Sequence, residues 1–212
     1  MPTNMSTNMS TNININMNQS LKKITLFNGS LGGDTGNSAV ASLRIREELL
    51  KQNPSLLFES IELCSMDPHA ALRQAKGSDG FIWVTGTYWD SWGSPLQRFL
   101  EEATAQEGTS LWLGKPSAVL VTAHAVGAKG VLSRLQGVLN TLGCALPPMT
   151  GWVYTAAQQE ALGSDLGEDF WSLADLEIVA SNLLAFLERS DRYRSWTVDR
   201  SDPHRKWIRE TP

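Results

Sequence analysis

The stretch ITLFNGSLGGDTGNSAV, residues 24–40, joins a short apolar run to a helical pattern through a loop with four glycines. The run Ile24–Phe27 is apolar and is followed at once by an Asn-Gly pair, which is typical of a buried strand. Over Ser38–Gln52 the pattern becomes helical, and we expect Ala39, Leu43 and Leu50 on one apolar face. Because glycine loses the most backbone entropy on folding, these glycines indicate a sharp turn or a ligand held close to the backbone.

The same alternation of apolar runs and helical patterns continues along the chain. Four more runs are typical of strands: Leu56–Leu63, Gly80–Thr85, Ala118–Thr122 and Gly151–Thr155. Helical patterns lie between and after them, at Ala70–Ala75, from Ser94 onward, at Leu132–Leu142 and at Leu173–Leu187. Ser94 suits an N-cap, with Pro95 at the first helical position and Gln97 completing a capping box. Five strands alternating with helices predict an α/β fold with a parallel sheet covered on both faces.

The composition narrows the class of protein. The chain has 212 residues and a formal net charge of −4, which argues against a general nucleic-acid binder, because such proteins need a basic face. Its two cysteines, Cys64 and Cys144, have no CxxC spacing, and three histidines give little support for a metal site. No apolar run approaches the ~20 residues that span a bilayer. We therefore expect a cytoplasmic protein with no membrane span, no nucleic-acid partner and no metal.

The chain divides into three parts by composition. Residues 1–20 repeat Met, Ser, Thr and Asn without a charge, which predicts a disordered tail. Residues 21–188 carry the strands and helices of the predicted domain. Residues 189–212 contain Arg and Trp, residue types enriched at interface anchors, and predict an arm that lies on a partner subunit. A nucleic-acid tail is the weaker alternative for this arm, because its charge is mixed.

The loops after Phe27, Val84 and Val121 form the candidate site, because open parallel sheets bind ligands outside the carboxyl ends of their strands. In the first loop, hydroxyl, amide and backbone N–H donors at Ser30, Asn37 and Ser38 suit an anion held at a helix start. The glycine spacing fits neither the Walker pattern nor the GxGxxG dinucleotide pattern. An ordinary glycine-rich turn is the alternative interpretation.

The second and third loops add aromatic and small residues. Tyr88, Trp89 and Trp92 follow a strand end closely, where they could stack on a planar ligand or pack against a partner subunit. The third loop, residues 122–130, holds mostly small residues and His124. A lone histidine is more often structural than catalytic, and His124 has no nearby cysteine or serine in sequence with which to form a nucleophilic pair.

Together, the three loops resemble those of the NAD(P)H-dependent FMN reductase family, over a span from about Ile24 to about Leu187. The matching positions are Gly29, Ser30, Asn37 and Ser38 in the first loop, Thr85 and Tyr88 in the second, and Thr122, Gly127 and Gly130 in the third. The departures are Gly32 for a frequent arginine, Gly86 for proline, Trp89 for asparagine and Gln97 for lysine. The resemblance implies a flavodoxin-like three-layer sandwich with strand order 2-1-3-4-5.

The resemblance also implies the chemistry. FMN would be the cofactor and NAD(P)H the co-substrate, so that the flavin performs the chemistry and no side-chain acid or base is required. The cofactor-binding residues that it implies are Ser30, Gly36, Asn37, Ser38, Thr85, Gly86, Thr87, Tyr88, Trp89, Asp90, Thr122, Ala123, His124 and Gly127. We expect a quinone, flavin or similar acceptor and a homodimer or homotetramer. A flavodoxin-type electron carrier and a flavin-free interaction module are the alternatives with the same fold.

Overall fold

A single parallel sheet organises the chain. The computed structural model describes residues 21–162, 171–189 and 191–199, so the predicted N-terminal tail and residues 200–212 of the predicted arm lie outside the described residues. The strands are β1 (Lys23–Asn28), β2 (Leu57–Glu62), β3 (Gly80–Gly86), β4 (Ser117–Ala123) and β5 (Gly151–Thr155). They pair in parallel in the order β2-β1-β3-β4-β5, which confirms the predicted flavodoxin-like sheet.

Helices cover both faces of this sheet. They are α1 (Asn37–Gln52), α2 (Pro68–Gln74), α3 (Ser94–Ala103), α4 (Ala128–Leu142), α5 (Ala156–Leu162) and α6 (Leu176–Leu187). Side chains alternate across each strand, so Leu26 packs with α1 and α6 while Phe27 packs with α2, α3 and α4. The predicted three-layer sandwich is therefore confirmed. None of the described helices is long and apolar enough to cross a membrane.

The buried face of α1 differs from the predicted one. Ala41, Ile45 and Leu49 are buried against α6 and the sheet, whereas Leu43 is 55% exposed. The prediction of a face through Ala39, Leu43 and Leu50 was wrong at Leu43, although Leu50 is partly buried against the same core, because each of the two faces carries apolar residues at helical spacing. Contact with α6, whose apolar stripe comes from far along the chain, selects between them.

The start of α3 also differs from the prediction. Gly93, not Ser94, is the N-cap, and no side chain of the described residues caps the helix there. The backbone N–H of Gly93 donates to the Thr85 hydroxyl at 3.0 Å, which ties the helix start to the end of β3. Gln97 does not close a capping box: its side chain accepts from Trp92 Nε1 at 2.7 Å. Tertiary partners therefore replace the local cap.

The described part of the arm, residues 191–199, lies against its own domain. The Trp196 indole donates to a Glu107 carboxylate oxygen at 2.8 Å, and the Tyr193 ring lies so close to Gly114 that a Cβ there would be 2.4 Å from it. Together with the segment before β4, these residues border a cavity of about 230 Å³. Contact of the arm with a partner subunit stays a prediction.

Candidate functional site

A cleft of about 260 Å³ opens at the carboxyl ends of β1, β3 and β4, between the three loops singled out in the sequence. Eleven residues line it: Ser30, Gly32, Gly36, Asn37, Ser38, Gly86, Thr87, Tyr88, Thr122, Ala123 and His124. β1 and β3 are adjacent in the sheet although α1, β2 and α2 separate them in sequence, and the start of α1 lines the cleft beside the ends of β3 and β4. This is the position at which open α/β sheets bind ligands.

The loop after β1 is held by Asn28, a buried residue at the strand end. Its side-chain oxygen accepts from the Ser30 hydroxyl at 2.8 Å and from the Ser30 backbone N–H at 3.2 Å. Its side-chain nitrogen donates to the Gly33 carbonyl at 2.8 Å and to Glu62 Oε2 at 2.7 Å. Both side-chain atoms of Asn28 are therefore used to shape the loop, and both donors of Ser30 point toward Asn28 rather than into the cleft.

Helix α1 points its amino end into the cleft. Its N-cap, Gly36, has extended backbone, and no side chain of the described residues caps the helix. The first N–H groups of a helix lack intrahelical acceptors and carry a partial positive charge, so they favour an anion. The buried Ser38 hydroxyl lies 3.0 Å from the Thr122 hydroxyl, and this contact joins the start of α1 to the end of β4.

The loop after β3 forms a tight hairpin turn. Tyr88 and Ser91 exchange backbone hydrogen bonds of 2.8 and 2.9 Å, and the two residues between them, Trp89 and Asp90, have φ values of 47° and 57°. This is the left-handed geometry for which Asn-Gly is the favoured sequence, and a tryptophan adopts it only under strain. Trp89 is nevertheless fully exposed at the tip, with a relative accessibility of 102%.

The remaining side chains of this hairpin hold the tip in place. The Tyr88 hydroxyl accepts from the Leu31 backbone N–H at 3.2 Å, which links the hairpin to the first loop. Arg134 of α4 donates to the Asp90 carbonyl and lies 5.7 Å from the centre of the Trp92 ring. Trp92 is thus packed within its own chain and is not among the residues that line the cleft. Trp89 differs, because its side chain projects from the tip of a turn that is held by the Tyr88–Ser91 backbone hydrogen bonds and by the bond from Arg134 to the Asp90 carbonyl.

Two hydroxyls near the end of β3 have different roles. Thr85 is buried behind the cleft; its hydroxyl donates to the Gly86 carbonyl and accepts from the Gly93 N–H, both at 3.0 Å. Thr87 lines the cleft, and its hydroxyl oxygen is buried without a hydrogen-bond partner among the described residues. A buried hydroxyl with no partner costs free energy, so this atom is suited to a ligand that supplies the missing contact.

The loop after β4 completes the cleft with Thr122, Ala123 and His124. The His124 carbonyl accepts from the Ala157 N–H at 2.7 Å, which fixes the loop to α5. Gly127 lies farther along, at the N-cap of α4, with φ of 90°. A Cβ at that position would be 2.1 Å from an Asp90 carboxylate oxygen, so the two loops approach each other there more closely than a side chain allows.

The charges around the cleft are sparse. None of the described residues that line it is Lys, Arg, Asp or Glu. Behind the first loop, burial raises the pKa of Glu62, an effect that Asp34 reinforces, although the hydrogen bonds from Asn28 and Ser60 act in the opposite direction. No cluster of three or more potential metal ligands occurs among the described residues.

The structure brings together most of the residues chosen from the sequence. Ten of them line the cleft, while Thr85 lies behind it, Trp89 and Asp90 form the hairpin tip, and Gly127 caps α4. Gly32 also lines the cleft but was not among the predicted site residues. Asn28 was missed as well. Its only sequence signal is a polar residue at the end of an apolar strand, directly before the glycine-rich loop.

Fold and cleft together define a class: a flavodoxin-like α/β protein with a cleft at the topological switch point. The family model described as NADPH-dependent FMN reductase matches residues 23–159, and the chain belongs to this family. Family membership supports an FMN-dependent NAD(P)H oxidoreductase. A comparison with curated protein sequences gives no match.

Solved structures share the fold at low sequence identity. An oxidoreductase from Corynebacterium diphtheriae superimposes with a TM-score of 0.63 at 16% identity, covering 80% of this chain and 99% of that one. The flavoenzyme NAD(P)H:(acceptor) oxidoreductase FerB from Paracoccus denitrificans gives 0.56 at 20% identity, with 79% and 96% covered. An azoreductase from Bacillus anthracis str. Sterne gives 0.56 at 10%, with 76% and 98% covered. At these identities the likeness concerns the fold alone.

The residues present fit FMN by two observations. The free amino end of α1 and the hydroxyls of Ser38 and Thr122 suit a phosphate, which needs several donors at once. Thr87, whose hydroxyl is buried without a partner among the described residues, is on the wall of the same cleft. No carboxylate of the described residues lines the cleft to repel a phosphate.

Proposed function

We propose that this protein is an NAD(P)H-dependent oxidoreductase that uses FMN to pass reducing equivalents from the nicotinamide to a quinone, a free flavin or a similar acceptor. The observation that carries the proposal is the cleft at the carboxyl ends of β1, β3 and β4, in a chain of the FMN reductase family. When bound, FMN supplies the redox chemistry by accepting hydride from NAD(P)H and delivering reducing equivalents to the acceptor. The protein supplies binding, orientation and electrostatics.

The phosphate is assigned to the first loop and the start of α1. Asn37 offers its side-chain amide, Ser38 its hydroxyl, and the first turn of α1 its free N–H groups and positive dipole end. Ser30 contributes mainly through loop shape, because both of its donors are directed to Asn28. Asn28 is a positioning residue in this scheme: it holds Gly33 and Ser30 so that the loop stays open toward the phosphate.

The isoalloxazine ring is assigned to the space between the second and third loops. Gly86, Thr87 and Tyr88 form one wall, and Thr122, Ala123 and His124 form the other. Thr87, whose hydroxyl has no partner among the described residues, would offer that hydroxyl to a polar edge of the ring. Backbone N–H groups of the third loop would stabilise negative charge that develops on the ring during reduction.

Trp89 is assigned to the entrance, where substrates arrive. It projects fully exposed from a strained turn that Arg134 and the Tyr88–Ser91 pair hold in place. Backbone strain of this kind is concentrated at functional sites. An indole at the mouth favours flat, aromatic acceptors, because stacking adds about 0.5–1.5 kcal/mol beyond area burial. NAD(P)H, whose nicotinamide is also flat, would meet the same surface.

A flavodoxin-type carrier and a flavin-free module remain the competing assignments. The net charge of −4 speaks against a carrier, because carriers dock on basic partners through strongly acidic surfaces. The cleft itself speaks against a flavin-free module, because it joins the uncapped start of α1 to Thr87, whose hydroxyl has no partner among the described residues.

One preparation of purified full-length protein tests all three assignments. We expect FMN to copurify or to bind when added, seen as quenching of its fluorescence, and NADH or NADPH to bleach its absorbance under anaerobic conditions. Steady consumption of NAD(P)H with a quinone or free flavin as acceptor then supports the oxidoreductase. FMN binding without turnover favours the carrier, and failure to bind FMN refutes the proposal.

A further inference from the structure

A second groove, of about 380 Å³, runs along the edge of the sheet between α1 and β2. β2 is the last strand on this side and pairs only with β1 among the described strands. The backbone N–H groups of Leu57 and Leu63 donate toward β1, each at 2.9 Å. Because the backbone groups of a strand alternate between its two sides, those of Phe58, Ser60 and Glu62 face outward. The same three residues line the groove.

The helix side of this groove is apolar and exposed. Val40 and Leu43 lie one turn apart on the face of α1 that borders the groove, and they are 53% and 55% exposed. An open strand edge beside exposed apolar side chains is a site of association, and monomeric proteins guard such edges with charged side chains. Glu59, the charged residue in the middle of β2, is instead paired with Lys23 of β1. The edge is therefore left open to a further strand.

The two ends of the groove carry opposite charges. Asp34, before the start of α1, lies with Glu62 at one end. Arg46 lies at the other end, where its guanidinium is 5.9 Å from the centre of the Phe58 ring. Neither Asp34 nor Arg46 has an ion-pair partner among the described residues, whereas Arg44 is paired with glutamates of its own helix. A groove with an acidic end, an apolar middle and a basic end is complementary to itself under a twofold rotation.

We propose that a second copy of this chain docks in the groove, related to the first by a twofold axis that passes through the middle of β2. The two β2 strands pair antiparallel, which joins the two sheets into one. Val40 and Leu43 of the two copies pack together, and Arg46 of each copy lies opposite Asp34 of the other. Eleven residues line the groove, fewer than the 20–30 per side of a standard interface, so the dimer dissociates on dilution.

The first test measures the dimer dissociation constant of the full-length protein by sedimentation equilibrium, at about 1–100 μM, where a small interface dissociates. Arg46→Glu should weaken the dimer at least about tenfold, because it places like charges opposite each other at both symmetric contacts. Adding Asp34→Arg to Arg46→Glu should restore the dissociation constant to within about threefold of wild type, because each pair then re-forms with its charges exchanged. Leu43→Gln should also weaken the dimer. Ile178→Gln is its control, because Ile178 is 49% exposed on α6 and borders a different groove.

The second test locates the axis with a crosslink. Ser60 is the middle one of the three outward-facing residues of β2, so the axis brings it beside Ser60 of the second copy. In protein that carries Cys64→Ser, which removes the exposed native thiol, Ser60→Cys should form a covalent dimer with a short bismaleimide. Ser110→Cys, at an exposed position outside the groove, is the control and should not.

Three outcomes would overturn the proposal. One is a wild-type protein that stays monomeric over the whole concentration range, which would leave the groove to a segment of a different protein. Another is a dimer that neither Arg46→Glu nor Leu43→Gln weakens, which would place the interface on a different surface. The third is the absence of a covalent dimer with Ser60→Cys. Circular dichroism of each variant checks its fold, and the charge exchange separates a lost contact from a damaged subunit. These measurements need no FMN, so the interface and the proposed function are tested independently.

Discussion

Removing the partnerless hydroxyl of Thr87 is expected to change two quantities in opposite directions: the stability of the flavin-free protein and its affinity for FMN. Replacing Thr87 by valine keeps the shape of the side chain but removes the buried oxygen that has no partner among the described residues. If that oxygen forms a hydrogen bond only with bound flavin, the variant protein should be more stable than wild type without FMN and should bind FMN more weakly. If the hydroxyl has a purely structural role, its removal should lower both the stability and the FMN affinity, or change neither of them.

The magnitude follows from the cost of burying an unsatisfied polar group, about 1–3 kcal/mol. Thr87 is half-buried as a residue, so the lower part of that range, about 1–2 kcal/mol, applies to the gain in stability of the flavin-free protein. For a chain of this length, each kcal/mol raises Tm by about 2–4 °C. The lost hydrogen bond should raise the FMN dissociation constant about 5- to 30-fold, the factor that corresponds to 1–2 kcal/mol.

Both quantities can be measured on one preparation. Flavin-free protein is unfolded by heat and by urea, and FMN is then titrated while its fluorescence is followed. Thr87→Ser is the control, because it keeps the hydroxyl and should retain FMN affinity close to wild type. A Thr87→Val variant that is less stable than wild type, or that binds FMN with unchanged affinity, would refute the assignment of this hydroxyl to the ligand.

Four further predictions concern the hairpin, Glu62 behind the first loop, and the arm. Trp89→Ala should raise the KM for flat quinones with unchanged mass in light scattering, whereas a loss of mass with unaltered kinetics would place Trp89 at a subunit interface. Trp89→Gly should be more stable than Trp89→Ala by about 1 kcal/mol, measured by urea unfolding, because glycine tolerates the left-handed φ. Burial raises the pKa of Glu62, so its contribution to stability is present below the unfolded value near 4.5 and is lost as pH rises through the folded value. Glu62→Gln should therefore gain stability over wild type at pH 7 but not at pH 4, and equal urea midpoints at both pH values would contradict this. Truncation after Glu188 should lower the number of subunits, measured by light scattering, if the arm also reaches a partner subunit. An unaltered number of subunits would show that its contacts are within the chain.

The order of strands and helices could be predicted because the signals for it are local. The central strands β1, β3 and β4 are buried on both faces, so each appears as a short apolar run in sequence, and glycine-rich or polar stretches mark where it ends. The loops that follow β1, β3 and β4 were identifiable for the same reason. Once the sheet is parallel, their strand ends share one edge, and the cleft has to lie there.

The tertiary structure alone decided how the loops are held. Asn28 shapes the first loop through bonds to residues both near and far in sequence, one of them Glu62 on the next strand over. Gly93 caps α3 because Thr85 of β3 supplies the acceptor. In each case the local signal was weaker than a hydrogen-bond partner that only folding brings close.

The two tryptophans of the second loop show the limit of sequence reasoning most clearly. Trp89 and Trp92 are three positions apart and equally aromatic, yet Trp92 packs on Arg134 of its own chain while Trp89 stands fully exposed. Their difference depends on where α4 lies and on the left-handed turn between Tyr88 and Ser91. Composition and hydrophobic periodicity determined which strands and helices form, because each segment carries its own pattern of apolar residues to bury. The contacts made by individual side chains depend on segments far apart in the chain, and only the packed fold decides them.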